Sequence, residues 1–221
     1  MKALIFDLDG TLIDSVYPHT LAWQQALKEV EMYVPACEIH RLIGISGKLL
    51  VKALGRRRSR SFDQTAIEAL EKRHDALFRE MAALQLPLPG AIDLLRFLRR
   101  SEVAHGIATT GKRSEIERSL AALGIDGSTI VIDGSMAASA KPEPDLFVEC
   151  RSRLGVEESE ALVIGDAVWD IHAAHRARML AVGLLSGGSG QQELSDAGAM
   201  RIYRDPADML SSIDELGLNL A

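Results

Sequence analysis

The feature that most constrains this chain is a short apolar run that ends in two acidic residues. The run Ala3–Phe6 is followed at once by Asp7-Leu8-Asp9-Gly10-Thr11. We interpret the run as the first strand of a sheet, after which Gly10 allows the chain to turn. In an open α/β sheet, ligands bind at the carboxyl ends of the strands. Two carboxylates this close do not readily both ionise without a cation, so the segment predicts a nucleophile, an acid/base and a divalent-metal site together.

The chain beyond residue 86 alternates short apolar runs with amphipathic stretches. Such runs are typical of buried parallel strands, and the stretches are typical of helices that cover them. The predicted strands are Ala3–Phe6, Val103–Thr109, Thr129–Ile132, Ala161–Ile164 and Ala181–Leu185. The predicted helices are Ala91–Arg100, Ser114–Leu123, Pro144–Leu154 and Asp170–Arg178. This alternation predicts an α/β fold with a doubly wound parallel sheet and right-handed crossovers.

Residues 15–86 do not fit the alternation and contain no convincing strand. They predict three or four helices, followed by the helix-breaking stretch Leu86-Pro87-Leu88-Pro89-Gly90. The predicted helices are Pro18–Tyr33, Pro35–Ile43, Lys48–Gly55 and Asp63–Leu84. We therefore expect an α/β core of residues 1–14 and 87–221 with an all-helical insertion of residues 15–86, hinged near 13–16 and 86–90.

Composition excludes several classes of function. The 221 residues are 47% hydrophobic and 25% charged, as in ordinary globular proteins, and the net charge of −6 argues against nucleic-acid binding. No run of 18 apolar residues and no signal-like start is present, so we expect no membrane association. The two cysteines, Cys37 and Cys150, predict no disulfide framework. We expect a cytoplasmic protein with reduced thiols that is a monomer or a weak dimer.

Three further segments carry polar residues near the ends of predicted strands. They are Gly106-Ile107-Ala108-Thr109-Thr110-Gly111, Lys141-Pro142-Glu143-Pro144-Asp145-Leu146-Phe147 and Val163-Ile164-Gly165-Asp166-Ala167-Val168-Trp169-Asp170. Each has an ordinary structural explanation when it is taken alone. Thr109 can satisfy local backbone groups, Lys-Pro can form a surface turn, and Asp170 can cap a helix. Their order along the chain makes a common site the stronger interpretation.

Together with Asp7–Thr11, these segments resemble the four motifs of the haloacid dehalogenase superfamily, in its phosphohydrolase branch. The resemblance implies that Asp7 is a nucleophile and Asp9 a general acid/base. It implies that Thr109 and the backbone amide of Thr110 hold a phosphate group. Lys141 is expected to pair with both the nucleophile and the phosphate.

The same resemblance implies a Mg²⁺ site and a mobile cap. Asp7, Asp9 and Asp166 are expected to supply metal ligands, because a hard cation prefers oxygen. Asp170 is expected to hold a metal-bound water or to orient Lys141. The helical insertion, residues 15–86, resembles the cap that closes over the substrate in this superfamily.

His19 belongs to a further resemblance, carried by His19-Thr20-Leu21-Ala22-Trp23. This spacing is similar to the β-phosphoglucomutase and sugar-phosphate phosphatase branch, in which the histidine gates the acid/base or touches the substrate. The alternative is a partly exposed histidine at the start of a helix. The segment Ile43–Lys48 has no arginine where the mutases carry one, and position 74, expected to hold their second cap cation, is histidine.

The leading hypothesis is a Mg²⁺-dependent phosphatase that hydrolyses a small phosphorylated metabolite, phosphoglycolate or a sugar phosphate, through an aspartyl-phosphate. A β-phosphoglucomutase-like phosphomutase is the alternative enzyme. A dehalogenase is disfavoured because those enzymes lack an acid at the place of Asp9. A non-catalytic binding protein is disfavoured because Asp7, Asp9, Lys141 and Asp166 are all present.

Two other features are predicted to lie outside the site. Gly187-Gly188-Ser189-Gly190 lacks the lysine of a P-loop, which favours a flexible surface turn over a phosphate-binding loop. His172 and His175 have no further soft ligand nearby in the sequence, which favours a surface helix face over a metal site.

Overall fold

The computed structural model describes residues 1–218, which form eight strands and ten helices. The strands, in chain order, are β1 (Ala3–Phe6), β2 (Ile13–Asp14), β3 (Leu86–Pro87), β4 (Ala104–Ala108), β5 (Ile130–Ile132), β6 (Ala161–Gly165), β7 (Leu180–Leu184) and β8 (Arg201–Tyr203). The helices are α1 (Val16–Glu29), α2 (Ala36–His40), α3 (Gly47–Arg57), α4 (Gln64–Glu80), α5 (Ala91–Arg100), α6 (Arg113–Ala122), α7 (Asp145–Leu154), α8 (Val168–Arg176), α9 (Gln191–Asp196) and α10 (Pro206–Ser211).

Six strands form one parallel sheet in the order β5-β4-β1-β6-β7-β8. Every residue of β1 is fully buried, which explains why this strand is an unbroken apolar run. The chain moves outward from β1 in one direction through β4 and β5 and in the other through β6 to β8. The end of β1 therefore lies where the strand order reverses, the usual ligand site of such sheets. The predicted α/β fold is confirmed.

All five predicted strands are present, with ends that differ by at most one residue. The sixth, β8, was not predicted, because Arg201–Tyr203 is three residues long and contains no apolar run. Helices α9 and α10 were also not predicted. At six residues each, they are too short to display a helical period.

Helices α1 to α4 pack around an apolar cluster of their own. It is separate from the two clusters that cover the faces of the sheet and includes Trp23, Leu27, Leu50, Leu70 and Phe78. Helix α4 ends at Glu80 rather than at the predicted Leu84. Two chain segments connect this helical unit to the sheet. They form the antiparallel ribbon β2–β3, which was not predicted. The ribbon lies where the sequence predicts the hinge.

The helical unit also contacts the sheet-bearing part of the chain beyond the ribbon. His40 Nε2 lies 2.8 Å from the carbonyl oxygen of Gly187, and the indole of Trp169 donates to the carbonyl of Arg41 over 3.0 Å. These contacts hold the helical unit over the carboxyl ends of the strands. Within residues 1–218, no helix is both long and apolar enough to cross a membrane.

Candidate active site

The four sequence motifs meet at one edge of the sheet. Asp7 directly follows β1, Thr109 directly follows β4, and Asp166 directly follows β6. Because β4 and β6 are the two neighbours of β1, these three residues are brought side by side. Lys141 comes from the loop between β5 and α7, and its side chain reaches Asp7.

Lys141 is fully buried and lies between two carboxylates. Its Nζ forms an ion pair with Asp7 and lies 2.7 Å from Asp170 Oδ1. The other oxygen of Asp170 accepts the backbone N–H of Ala167 over 3.0 Å, which fixes the carboxylate at the start of α8. Burial lowers the pKa of Lys141, but the two carboxylates outweigh it and raise the pKa above its usual value. The lysine is therefore held as a cation between Asp7 and Asp170.

Asp7, Asp166 and Asp170 form a buried acidic cluster in which one oxygen of each lies within 4.8 Å of the others. Burial raises the pKa of Asp7 to about 7, against the opposing charge of Lys141. The pKa of Asp166 is raised well above its usual value by burial and by its two acidic neighbours. An all-oxygen cluster with too little positive charge fits a hard divalent cation.

Asp9 was predicted as the third metal residue, but its side chain points elsewhere. Its Oδ1 accepts the Ser15 hydroxyl over 2.6 Å and lies 3.5 Å from Nε2 of His19. Burial raises the pKa of Asp9, but the hydrogen bond and charge of His19 and the hydrogen bond of Ser15 lower it below its usual value. The two acids of the first motif therefore have different surroundings, as the sequence predicts.

His19 is part of a chain of hydrogen-bonding groups that runs into the helical unit. Its Nδ1 lies 3.0 Å from Nε2 of His74, whose Nδ1 lies 3.0 Å from Oδ1 of Asp75. His74 stacks on Trp23 with ring centres 4.4 Å apart, and burial lowers its pKa to about 4. A neutral His74 that donates to Asp75 presents a lone pair to His19, which must then donate from Nδ1. This leaves Nε2 of His19 to face Asp9.

Two glycines make room for Asp166. Gly10 has a φ of +83°, and a Cβ built on Gly10 or on Gly187 would overlap the Asp166 carboxylate. Ser186 donates its hydroxyl to the carbonyl of Gly10 over 2.6 Å, which ties the turn after β7 to the first motif. The prediction of a flexible surface turn at Gly187–Gly190 is wrong for Gly187, which is buried against the site.

Thr109 and Thr110 occupy different positions. The Thr109 side chain is buried, and its hydroxyl oxygen accepts the backbone N–H of Gly111 over 3.1 Å. Its own N–H donates to the carbonyl of Ile132 over 3.0 Å. Thr109 therefore shapes the turn after β4, whereas Thr110 and Gly111 line the cavity beside Asp7.

The site opens into a cavity of about 210 Å³ between the sheet edge and the helical unit. Asp7 and Asp9 lie at the sheet end of this cavity, and residues of α1, α3 and α4 form the opposite wall. Its lining residues include His19, Trp23, Gly47, Glu71, His74, Asp75, Lys112 and Glu115. The cavity is large enough for a small metabolite and presents it to two acids of unlike pKa.

A family comparison decides the family. Residues 1–178 match the model of the haloacid dehalogenase-like hydrolases. The chain belongs to this family. The superfamily predicted from the four motifs is therefore confirmed, and with it the class of enzyme.

Known proteins resemble this hydrolase over nearly its whole length. A β-phosphoglucomutase of Bacillus subtilis is 30% identical over 216 residues, covering 95% of this chain and 92% of the relative. A phosphoglycolate phosphatase of Rhodospirillum rubrum is 31% identical over 215 residues, covering 94% and 89%. The crystal structure of a hydrolase from Pseudomonas syringae has a TM-score of 0.95 at 39% identity, covering 98% and 99%.

Sequence reasoning missed several residues that build the site of this hydrolase. Ser15 and Asp75 hold Asp9 and His74, and Thr11 donates its hydroxyl to Asp166 Oδ1 over 2.9 Å. Thr11 and Ser15 lie within or next to the first motif, so their position was a usable signal. Asp75 is about 65 residues from that motif along the chain, and nothing in the sequence connects the two.

Proposed function

We propose that this hydrolase is a Mg²⁺-dependent phosphatase of a small phosphate monoester, a sugar phosphate or phosphoglycolate, acting through an aspartyl-phosphate. The observation that carries the proposal is the position of Asp7, which lies at the cavity wall, ion-paired to the buried Lys141. A carboxylate held beside a fixed cation can attack phosphorus while the cation offsets the charge of the phosphate oxygens.

In the first step an oxygen of Asp7 bonds to phosphorus, and the bond from phosphorus to the ester oxygen breaks. Asp9 passes to that ester oxygen the proton that it shares with Nε2 of His19, so the alcohol leaves uncharged. In the second step Asp9 takes a proton from water, and the water oxygen bonds to phosphorus. The bond from phosphorus to Asp7 then breaks, which restores the Asp7 carboxylate and releases phosphate.

The positive charge near phosphorus comes from two sources. Lys141 supplies one, and its position is fixed by Asp170 over 2.7 Å. Asp7 and Asp166 would hold a Mg²⁺ ion, which would supply the second positive charge for the carboxylates and the phosphate. The family resemblance also implies Asp9 as a metal residue, although its side chain faces Ser15 and His19. The cavity-lining Thr110 and Gly111 are the groups we assign to hold the phosphate, and Thr109 fixes their turn.

His19 acts through Asp9 and is a positioning residue. Its Nε2 lies 3.5 Å from the carboxylate, with only 17% of the His19 side chain exposed. A proton shared by the two groups is available when negative charge develops on the leaving oxygen, and is recovered from water in the second step. Residues 15–86 bring His19 to Asp9, which supports the proposal that they act as the cap.

A phosphomutase is the second candidate, favoured by the 30% identity to the Bacillus subtilis β-phosphoglucomutase. It is ranked lower because the segment Ile43–Lys48 lacks arginine and position 74 holds a histidine whose pKa burial lowers to about 4. A mutase must hold a second phosphate group, which a neutral histidine does poorly.

One experiment separates the two candidates. Purified protein with Mg²⁺ is given β-glucose 1-phosphate, hexose 6-phosphates, phosphoglycolate and an aryl phosphate, and both free phosphate and isomerised sugar phosphate are measured. We expect free phosphate to dominate. Stoichiometric isomerisation with little phosphate release would reverse the ranking, and no phosphate release from any ester would refute the proposal.

A further inference from the structure

We propose that the substrate's leaving group is a neutral, hydroxyl-rich alcohol of the sugar or polyol class, without a carboxylate or a second phosphate. The inference rests on the proposed function, because it takes Asp7 as the end of the cavity where the phosphate binds. Of the two substrates named there, it selects the sugar phosphate over phosphoglycolate. The leaving group must then lie against the opposite wall of the cavity, formed by α1, α3 and α4, and against the neighbouring Lys112 and Glu115.

Carboxylates dominate that part of the cavity. Glu71 and Asp75 project from α4 in the helical unit, and Glu115 faces them from the first turn of α6. All three are partly buried, so solvent screens their charge incompletely. A leaving group with its own negative charge would be repelled by this wall.

Lys112 does not cancel this effect. Among residues 1–218 it is the one lysine or arginine in the cavity lining. Its Nζ lies 3.8 Å from Asp75 and 3.7 Å from Glu115, so the protein's own acids already compensate it. Burial raises the pKa of Glu115, and the negative charge of the neighbouring Asp75 raises it further. Asp75 and Glu115 therefore lie close enough to repel each other.

The amino end of α3 is another place where an anion would ordinarily be stabilised. Here a side chain of the protein already occupies it. A Cβ built on Gly47, the first residue of α3, would lie 2.8 Å from Glu71 Oε1. The hydroxyl of Ser46 also accepts the backbone N–H of Leu49 over 3.4 Å. Glu71 therefore places a negative charge close to this helix end, which disfavours a second anion there.

The remaining groups suit hydroxyls. Ionised carboxylates are acceptors only, and they bind ligand groups that donate hydrogen bonds. Trp23 lies on the same wall, stacked on His74 with ring centres 4.4 Å apart, and its exposed 5% adds a small apolar area. Several acceptors beside a small apolar area match the hydroxyl groups of a sugar or polyol.

A matched pair of substrates tests the inference. 2-Hydroxyethyl phosphate and phosphoglycolate differ only in a hydroxymethyl or carboxylate group, and glucose 6-phosphate and 6-phosphogluconate form a larger pair. We expect kcat/KM to favour the uncharged member at least tenfold in both pairs. Equal or better hydrolysis of the carboxylates would overturn the inference. If the aryl phosphate is still hydrolysed, the proposed function survives that result.

Variants test whether the carboxylates cause the preference. Glu71→Gln and Glu115→Gln should each lower the ratio of kcat/KM for 2-hydroxyethyl phosphate to that for phosphoglycolate by threefold or more. Glu68→Gln changes an exposed acid on the same helix α4 and should leave the ratio unchanged. The assignment to these acids fails if both variants keep the wild-type ratio. Two variants are used so that one poorly folded protein does not decide the result.

Discussion

His19 Nδ1 lies 3.0 Å from His74 Nε2, and this contact joins helix α1 to helix α4 beside Asp9. His74 is held in turn by Asp75, while the other nitrogen of His19 faces Asp9. Helix α1 of the helical unit thus places His19 beside Asp9, and the orientation of His19 depends on its contact with His74. Two predictions follow from this pair.

The first prediction concerns the leaving group. His19→Ala should lower kcat/KM for alkyl phosphates by about tenfold or more, less than the 10²–10⁴-fold typical for loss of a general acid itself. The effect on an aryl phosphate should be smaller, because an aryl oxide leaves with little need of a proton. Steady-state kinetics on both ester types measure the difference.

His172→Ala is the matched control, since His172 is exposed on α8 and away from the cavity. It should leave both ester types unchanged. If His19→Ala changes every substrate by less than twofold, which is under about half a kcal/mol, the histidine has no part in the reaction.

The second prediction concerns stability and pH. The pKa of His74 falls from 6.5 to about 4 on folding because the ring is buried. The unfolded chain therefore binds a proton more readily, and stability is lost as pH falls from about 6.5 towards 4. Between pH 7 and pH 5 this one group should cost roughly 2 kcal/mol.

Urea unfolding of wild type and His74→Gln at both pH values measures this loss. The variant has no titrating ring, so it should lose less stability on acidification than the wild type. Identical losses in the two proteins would mean that His74 is not buried as a neutral group.

The third prediction concerns the buried ion pairs. Lys141→Met leaves Asp7 and Asp170 buried without their cation, and should destabilise the protein by about 3–5 kcal/mol. Adding Asp170→Asn should restore part of that stability but none of the activity. Unfolding in EDTA measures the stability, and a loss below about 1 kcal/mol for Lys141→Met would contradict the buried geometry.

Much of this arrangement could be predicted from the sequence. The strand Ala3–Phe6 is uniformly apolar because both of its faces are buried, and the acids after it mark the carboxyl end of the sheet. Parallel pairing then brings Thr109 and Asp166 to the same edge without any knowledge of side-chain contacts. Lys141 was predicted from its motif, although its full burial was not.

What could not be predicted depends on contacts between distant segments. His74 and Asp75 lie on α4, and only the packing of α1 against α4 brings them to His19. Gly187 was misread as a surface residue because its close approach to Asp166 leaves no local pattern. The strand β8 carries too few apolar residues to be distinguished from a loop.

The fourth prediction concerns the metal. The clustered acids Asp7 and Asp166 have raised pKa values because they are buried together, so a divalent cation should be needed to keep both ionised. EDTA should abolish hydrolysis of an aryl phosphate, and Mg²⁺ should restore it. Mg²⁺ should also raise the Tm of the wild type but not of Asp166→Asn. Full activity after rigorous chelation would exclude the metal requirement.

The proposed function requires that Asp7 acts as the nucleophile. It is tested most directly by the steady-state rate at which Asp7→Asn releases phosphate from an aryl phosphate in saturating Mg²⁺. The substitution preserves shape and burial, and its Tm should confirm that the variant is folded. We expect no phosphate release above the uncatalysed background. A folded Asp7→Asn protein that turns over the ester at a rate comparable to wild type would contradict it.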